Sequence, residues 1–248
     1  MIRFLKAVLY LLTGSIAVVI AFIIITNKPV PFGKVGPEAE AFTDSLLASV
    51  HCADWERLRF ISWTYQGKHH YVWDKLYNLV EIKYGNFRVL LNINAIDGIV
   101  WKNGERLSRE DKHPHIRRAW ELWCNDSFWL NPVCKLRDRG VVRRIVDLPD
   151  GKKGLLATFT QGGMTPGDSF LWITDDHYTP IAWRMWVRKL PVQGLKASWE
   201  QWTTLEGAQV STLHHAGPYT IEIQDLQTGR VASDLGLDRD PFIDFVTE

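Results

Sequence analysis

The sequence predicts a mainly β protein with helical inserts, built on an antiparallel sheet and preceded by one N-terminal transmembrane helix. Three observations predict this fold class. From residue 56 onward, apolar side chains recur mostly at every second position, as they do in strands with one buried face. No helical segment alternates with these strands, which argues against a parallel α/β sheet. Near the start of the chain, 19 uncharged residues run without interruption from Ala7 to Ile25.

The composition is that of a globular protein. The chain has 248 residues, of which 46% are hydrophobic and 23% charged, and this balance argues against disorder. Its 29 basic and 28 acidic side chains leave a net charge of +1, unlike a basic nucleic-acid-binding domain, so we expect no nucleic-acid partner. The 12 tryptophans stand out, and they occur in almost every predicted strand and insert.

The uncharged run has the length of a membrane-spanning helix. At roughly 1.5 Å per residue it would extend about 28 Å, close to the thickness of the hydrocarbon core. We favour an uncleaved signal anchor over a cleaved signal peptide, because the run is long and ends at Ile25 without a small-x-small cleavage site. Arg3 and Lys6 precede the run, so the positive-inside rule predicts that the rest of the chain is exported.

These features divide the chain into three predicted parts. Residues 1–28 form the signal anchor, which enters the membrane through residues 7–25. Residues 29–37 contain three Pro and two Gly and form a short tether. Residues 38–248 form the β-domain.

The three cysteines fit export only weakly. Cys124 and Cys134 would close a short loop that could hold a disulfide in an oxidising compartment. The alternative, which we favour, is that Cys52, Cys124 and Cys134 are three buried thiols. None has the spacing of a metal or redox site.

The individual elements follow from residue spacing and turn signals. Pro37 to Ala53 is predicted as one amphipathic helix that begins with a proline in its first turn. Residues 56–107 are typical of an antiparallel meander, and Asn103-Gly104 is a strong hairpin signal within it. A second helix is predicted from near Pro114 to about Asn125. A second meander then occupies residues 141–223, which makes ten or eleven strands in all.

The strand patterns and the tryptophans together predict an apolar ligand-binding surface. One predicted strand places Phe87, Val89 and Leu91 on a single face. In another, the face that must meet the apolar interior consists of Ile181, Trp183, Met185 and Val187, and the other face consists of Ala182, Arg184, Trp186 and Arg188. The predicted ligand-binding residues are Phe87, Val89, Leu91, Trp129, Trp172, Trp183, Met185 and Trp199.

Trp199 and Trp202 lie three positions apart in one predicted strand. Their side chains should therefore point to opposite faces, with at least one of them directed outward. An outward tryptophan would indicate a partner surface, a lipid surface or a helix packed on the convex side.

Three stretches of sequence resemble a known superfamily. Ala53 to Phe60 (ADWERLRF) is similar to the junction between helix and first strand in the LolA-like superfamily of lipoprotein-sorting and lipoprotein carrier proteins. Phe170 to Ile181 (FLWITDDHYTPI) is similar to a hairpin found in those domains. Asn125 to Leu130 (NDSFWL) resembles an uncharacterised branch of the superfamily. The resemblance covers roughly residues 38–225.

The resemblance implies an unclosed antiparallel β-barrel, a half-barrel curved around an apolar cavity and partly covered by helices. Members with known roles hold acyl chains of lipoproteins or other lipids, so the implied partner is a lipid or acyl chain. The implied location is the inner membrane, with a single span and the β-domain in the periplasm. Because an uncleaved anchor would keep the domain at the membrane, a tethered role in lipid or lipoprotein handling fits better than a shuttle.

No sequence pattern indicates catalysis. His69-His70 and His214-His215 are neighbours on predicted strands, so the two rings of each pair point to opposite faces. His113-Pro114-His115 lacks the spacing of a helical metal site, and Asp175-Asp176-His177 is typical of a turn. We expect no enzyme activity, no metal and no cofactor.

Two hypotheses of function remain. In the first, the domain binds a lipid or acyl chain in its apolar concavity and assists envelope lipid or lipoprotein handling. In the second, the barrel is filled by its own side chains, and the domain is a structural or interaction protein that docks an envelope protein through exposed Trp and Arg faces.

Overall fold

The computed structural model describes residues 6, 10, 13–15 and 26–246. Within these residues the protein is mainly β, with 14 strands, four α-helices and three short 3-10 helices, which confirms the mainly β part of the predicted fold class. Most of the predicted anchor, residues 7–25, lies outside the described residues. In the part of the chain that the structure describes, no helix is both long enough and apolar enough to span a membrane.

The helices are short and lie at four places along the chain. They are α1 (Pro37–Ser49), α2 (Cys52–Arg57), α3 (His113–Asp126) and α4 (Ile243–Val246), and the 3-10 helices are Ser127–Trp129, Pro132–Lys135 and Ala232–Leu235. The prediction of one helix to Ala53 is wrong, because His51 adopts a left-handed conformation with φ of 51°, which separates α1 from α2. The Nδ1 atom of His51 lies 2.9 Å from the carbonyl oxygen of Gly207 and holds this bend in place.

The larger sheet has nine antiparallel strands. They are β1 (Phe60–Tyr65), β2 (His69–Asp74), β3 (Leu79–Tyr84), β4 (Phe87–Asn92), β5 (Asp97–Lys102), β6 (Glu105–Arg106), β12 (Glu200–Leu205), β13 (Ala208–Ala216) and β14 (Tyr219–Gly229). Their spatial order is β12-β13-β14-β1-β2-β3-β4-β5-β6. The predicted turn at Asn103-Gly104 joins β5 to β6, and both residues have the positive φ of a tight hairpin.

The smaller sheet has five antiparallel strands in a simple meander. They are β7 (Val141–Asp147), β8 (Lys153–Phe159), β9 (Asp168–Thr174), β10 (Pro180–Trp186) and β11 (Leu195–Ser198). Their spatial order is β11-β10-β9-β8-β7. The strands in the described residues outnumber the prediction, partly because the single strand predicted from Ala197 to Thr204 divides at Trp199 into β11 and β12.

The two sheets share one core. The chain passes from the smaller sheet to the larger one at Trp199, whose backbone N–H donates to the carbonyl oxygen of Ile181 on β10. Neither sheet closes on itself, which is consistent with the predicted unclosed barrel. Helix α1 packs on β7 and β8, and α3 packs on β4 and β5, so both helices cover the inner faces of the sheets.

The C-terminal residues cover the outer face of the larger sheet, a feature that no sequence pattern predicts. Leu235 and Phe242 are buried there against Phe60, Val72 and Leu90. The rings of Phe60 and Phe242 are stacked with their centroids 6.4 Å apart. This second apolar layer explains why neighbouring residues of β1 and β4, which point to opposite faces of the sheet, are both buried.

One disulfide joins two elements that are distant in sequence. Cys52, the first residue of α2, is bonded to Cys134 in the 3-10 helix Pro132–Lys135, with 5.4 Å between their Cα atoms. Cys124 is free and half-buried, and burial raises the pKa of its thiol to about 11. Both predictions, a bridge between Cys124 and Cys134 and three separate thiols, are therefore wrong. Cys124 lies on α3, whereas Cys134 lies further along the chain, in a 3-10 helix that contacts α2.

Candidate ligand-binding site

The inner face of the smaller sheet carries a group of contacting aromatic side chains, which we call the aromatic cluster. Its members are Trp129, Trp172, Trp183, Trp199 and His214. Trp183 is at its centre, with ring centroids 4.9 Å from Trp129, 5.0 Å from Trp172 and 5.0 Å from Trp199. The His214 ring packs edge-on against Trp199 at 4.4 Å. All five side chains are buried, and Trp172, Trp183 and His214 are completely so.

Each member of the aromatic cluster comes from a different element. Trp172 on β9 and Trp183 on β10 are direct partners across the ladder, so pairing of the two strands alone brings their side chains together. Trp129 ends the 3-10 helix that follows α3, and His214 lies on β13 of the larger sheet. Trp199 occupies the crossing between the sheets. The cluster therefore forms only when both sheets and the insert are in place.

The structure brings four of the eight predicted ligand-binding residues into the aromatic cluster and buries a fifth, Met185, on the same strand as Trp183. Trp129, Trp172, Trp183 and Trp199 belong to the aromatic cluster, and Met185 is buried in the same core. The other three lie on β4 in the larger sheet. Val89 and Leu91 are fully buried in the shared core, and Phe87 is half-buried at its edge.

Phe87 differs from the other predicted residues in its surroundings. Its ring stacks on His115 of α3, with 4.4 Å between the centroids. It also lines a surface cleft of about 440 Å³ together with Lys83, Arg88 and Trp101. It therefore lies at the boundary between the core and solvent rather than beside the aromatic cluster.

Two of the predicted side-chain directions are wrong. Ile181 was expected to face inward with Trp183, but 48% of its surface is exposed, because the ladder register shifts between Pro180 and Ala182. Trp199 and Trp202 were expected on opposite faces, but their rings stack at 6.1 Å and both contact the core. Gln201 between them has φ of 51°, which breaks the alternation that a regular strand would impose.

The aromatic cluster contains polar atoms that have no hydrogen-bond partner among the described residues. They are the indole N–H groups of Trp172, Trp183 and Trp199. His214 Nδ1 lies 3.0 Å from the carbonyl oxygen of Ser198, which can only accept, so Nδ1 carries a proton. A buried polar group without a partner costs about 1–3 kcal/mol. The aromatic cluster therefore presents three hydrogen-bond donors inside an apolar surface.

His214 predicts a pH dependence of stability. Burial lowers its pKa from 6.5 to about 4 in the folded state, so between these values the unfolded chain binds a proton that the folded chain does not. The free energy of unfolding should therefore fall as the pH falls from 6.5 to 4, and His214 should account for up to about 3 kcal/mol of this decrease. Urea unfolding across this range should show a shallower pH dependence in His214→Asn than in the wild type. The exposed His177→Asn variant is the control, and equal slopes in wild type and His214→Asn would contradict the assignment.

A buried polar group on the other side of the core was not predicted from the sequence. Asp126, at the end of α3, accepts a hydrogen bond from the Tyr71 hydroxyl at 2.6 Å, and its Oδ2 lies 2.7 Å from Nδ1 of His69. Burial, with the Asp126 charge as the next cause, raises the pKa of Tyr71 far above its usual range and that of Tyr65 to about 12. This arrangement attaches the end of α3 to β2 and fixes the orientation of the His69 ring.

The sequence carried only a weak signal for this polar group. His69 and Asp126 are 57 positions apart, and alternation on β2 indicated only that His69 and His70 face opposite ways. Among the described residues, no group of three or more His, Cys, Asp or Glu side chains is arranged to hold a metal ion. The absence of catalytic activity stays a prediction.

Comparisons with known proteins show a similarity to solved structures but not to a protein family. No protein-family model and no curated protein sequence matches the chain. The chain is similar to the crystal structure of a DUF1329 family protein from Desulfovibrio piger, with 13% sequence identity and a TM-score of 0.42. The match covers 79% of this chain and 95% of that one. A similarity at this level carries no argument about function.

Proposed function

We propose that the chain is a membrane-anchored periplasmic domain of the LolA-like kind that binds a lipid or acyl chain in its interior. Residues 7–25 would form the anchor in the inner membrane. The observation that carries the proposal is the aromatic cluster, because it combines a large apolar surface with hydrogen-bond donors that the described protein leaves unpartnered. Most buried donors in protein cores have a partner, and the aromatic cluster brings together three that lack one among the described residues.

An acyl chain joined to an ester or amide fits both properties of the aromatic cluster. Each CH₂ group that leaves water stabilises the complex by about 0.8 kcal/mol. The carbonyl oxygens of the ligand would accept hydrogen bonds from the indole N–H groups of Trp172, Trp183 or Trp199. Because these rings are in contact at about 5 Å, they must separate to admit a ligand. Binding in this proposal is therefore coupled to a rearrangement of the cluster.

Lipid extraction from a matched pair of variants tests the proposal. Trp183→Phe keeps a ring in the aromatic cluster but removes its N–H donor, whereas Trp101→Phe makes the same change on the outer side of β5. The full chain is purified from membranes, washed with detergent, extracted with organic solvent and analysed by mass spectrometry. We expect less bound lipid in Trp183→Phe than in the wild type and Trp101→Phe. Equal amounts in all three proteins would count against an interior site.

The alternative is a structural or interaction protein with a filled barrel. The observation that favours it is the near-complete burial of the aromatic cluster, since side chains already occupy this part of the interior. In this case the domain would act through its outer surface and an envelope protein partner. Cross-linking of the full chain in native membranes would capture a protein partner under this alternative. Recovery of lipid adducts without any protein adduct would exclude it.

A further inference from the structure

The segment that joins the predicted anchor to the predicted tether is held against the β-domain. The backbone N–H of Lys28 donates to Gln193 at 3.0 Å, and the Trp186 indole N–H donates to the Lys28 carbonyl oxygen at 2.7 Å. Six residues later, Lys34 forms an antiparallel bridge with Ile145 on β7. Residues 28–34 therefore cross the outer face of the smaller sheet from the β10–β11 loop to β7.

This path places the β10–β11 loop beside Asn27, which follows the uncharged run closely in the sequence. Asn27 accepts a hydrogen bond from the backbone N–H of Gln193 at 2.6 Å, and the run ends at Ile25, two residues earlier. The β8–β9 turn lies at the same end of the sheet, where Arg188 contacts the carbonyl oxygen of Pro166. The β7–β8 turn lies at the opposite end, because neighbouring strands are antiparallel.

The surface around this point is basic, and we call it the basic rim. It consists of Lys28, Arg184, Arg188, Lys189 and Lys196, of which all but the half-buried Arg184 are exposed. Residues 26–28, 160–167 and 187–196 contain no Asp or Glu. Among the side chains that the structure describes, no carboxylate forms an ion pair with any member of the rim.

Two features show that the positive charge is not neutralised within the domain. Arg184 and Lys196 are direct partners in the β10–β11 ladder, an arrangement of like charges that is unfavourable without an anion nearby. Asp168 is the adjoining acidic residue, but it is buried and accepts hydrogen bonds from the backbone N–H of Arg188 and from Thr165.

We propose that the basic rim binds the anionic lipid headgroups of the bilayer that holds the anchor. The inference rests on the proposed function only in assuming that residues 7–25 lie in that bilayer. The short path from Ile25 to Asn27 brings the rim to the headgroup region, where anionic phosphates attract Lys and Arg side chains. The domain would then have a fixed orientation, with the β10–β11 loop on the membrane and the β7–β8 turn directed away from it.

Lysine labelling of the full chain in lipid nanodiscs tests this orientation. Discs of phosphatidylcholine alone are compared with discs that also contain phosphatidylglycerol, and the acetylation rate of each lysine is read by mass spectrometry. We expect Lys28, Lys189 and Lys196 to react at least about threefold more slowly in the anionic discs, and high salt to remove the difference. Lys152, in the β7–β8 turn, is the internal reference and should react equally in both.

A pair of double variants distinguishes binding by the basic rim from an effect of the protein's net charge. Lys189→Gln with Lys196→Gln should clearly weaken the lipid-dependent protection of Lys28, whereas Lys152→Gln with Lys153→Gln should leave it intact. Equal labelling in both kinds of disc, or full protection in the rim variant, would overturn the proposal. Protection by an acidic protein but not by phosphatidylglycerol would overturn it as well. A chain that fails to enter the discs would contradict the predicted membrane anchor. Lipid-dependent protection of the rim lysines, together with no lipid in the extraction experiment, would contradict only the proposed interior ligand.

Discussion

Trp183→Ala should lower the free energy of unfolding by about 3–5 kcal/mol, the usual range for truncation of a buried tryptophan. Trp183 is completely buried at the centre of the aromatic cluster, and its ring also contacts Phe170 at 4.7 Å. Removal of the indole would leave a cavity lined by rings from three other elements, which cannot all move inward together. Urea unfolding followed by circular dichroism measures the loss without relying on tryptophan fluorescence.

Trp101→Ala is the matched control for this substitution. Trp101 lies on the outer side of β5, is half-buried, and its ring lies 4.4 Å from the guanidinium carbon of Arg88. Because less apolar surface is lost there, we expect a clearly smaller decrease in stability. A similar decrease in both variants would mean that the aromatic cluster is not the centre of the core.

Cys52→Ser should lower the free energy of unfolding by about 4 kcal/mol in the oxidised protein. The disulfide joins residues 82 positions apart, and closure of a loop of that length strongly restricts the unfolded chain. It also attaches α2 to the 3-10 helix that follows the aromatic cluster residue Trp129. Thermal and urea unfolding, each with and without reductant, measure the contribution.

Cys124→Ser provides the control for the disulfide variant, because Cys124 is the free thiol. We expect only a small change in its stability and the same sensitivity to reductant as in the wild type. If reductant destabilised Cys52→Ser as much as the wild type, the bridge between Cys52 and Cys134 would be refuted.

The strands and their inward faces were largely predictable from the sequence. Alternation is a local property, so Val89 and Leu91 on β4, and Trp183 and Met185 on β10, could be assigned to the core from their spacing alone. The hairpin at Asn103-Gly104 was predictable for the same reason, since the two residues themselves favour the required backbone conformation. The prediction was wrong where a local irregularity intervened, as at Ile181 and Gln201.

The tertiary contacts of the candidate site were not predictable from one sequence. The disulfide between Cys52 and Cys134 and the hydrogen bonds of Asp126 depend on how distant elements pack. In the sequence, His214 is one of two neighbouring histidines on a strand and has no pattern that indicates a site, yet it is buried against Trp199. Its strand position indicated that one of the two rings would face inward but not what that ring would meet.

The proposal of an interior lipid site is tested most directly by photochemical labelling with a fatty acid that carries a diazirine on its chain. The full chain in nanodiscs is irradiated, digested and mapped by mass spectrometry, with unlabelled fatty acid as competitor. We predict competable adducts on peptides that contain Trp129, Trp172, Trp183 or Trp199. Adducts confined to residues 1–28, or to the outer faces of the sheets, would contradict an interior site and favour the filled barrel.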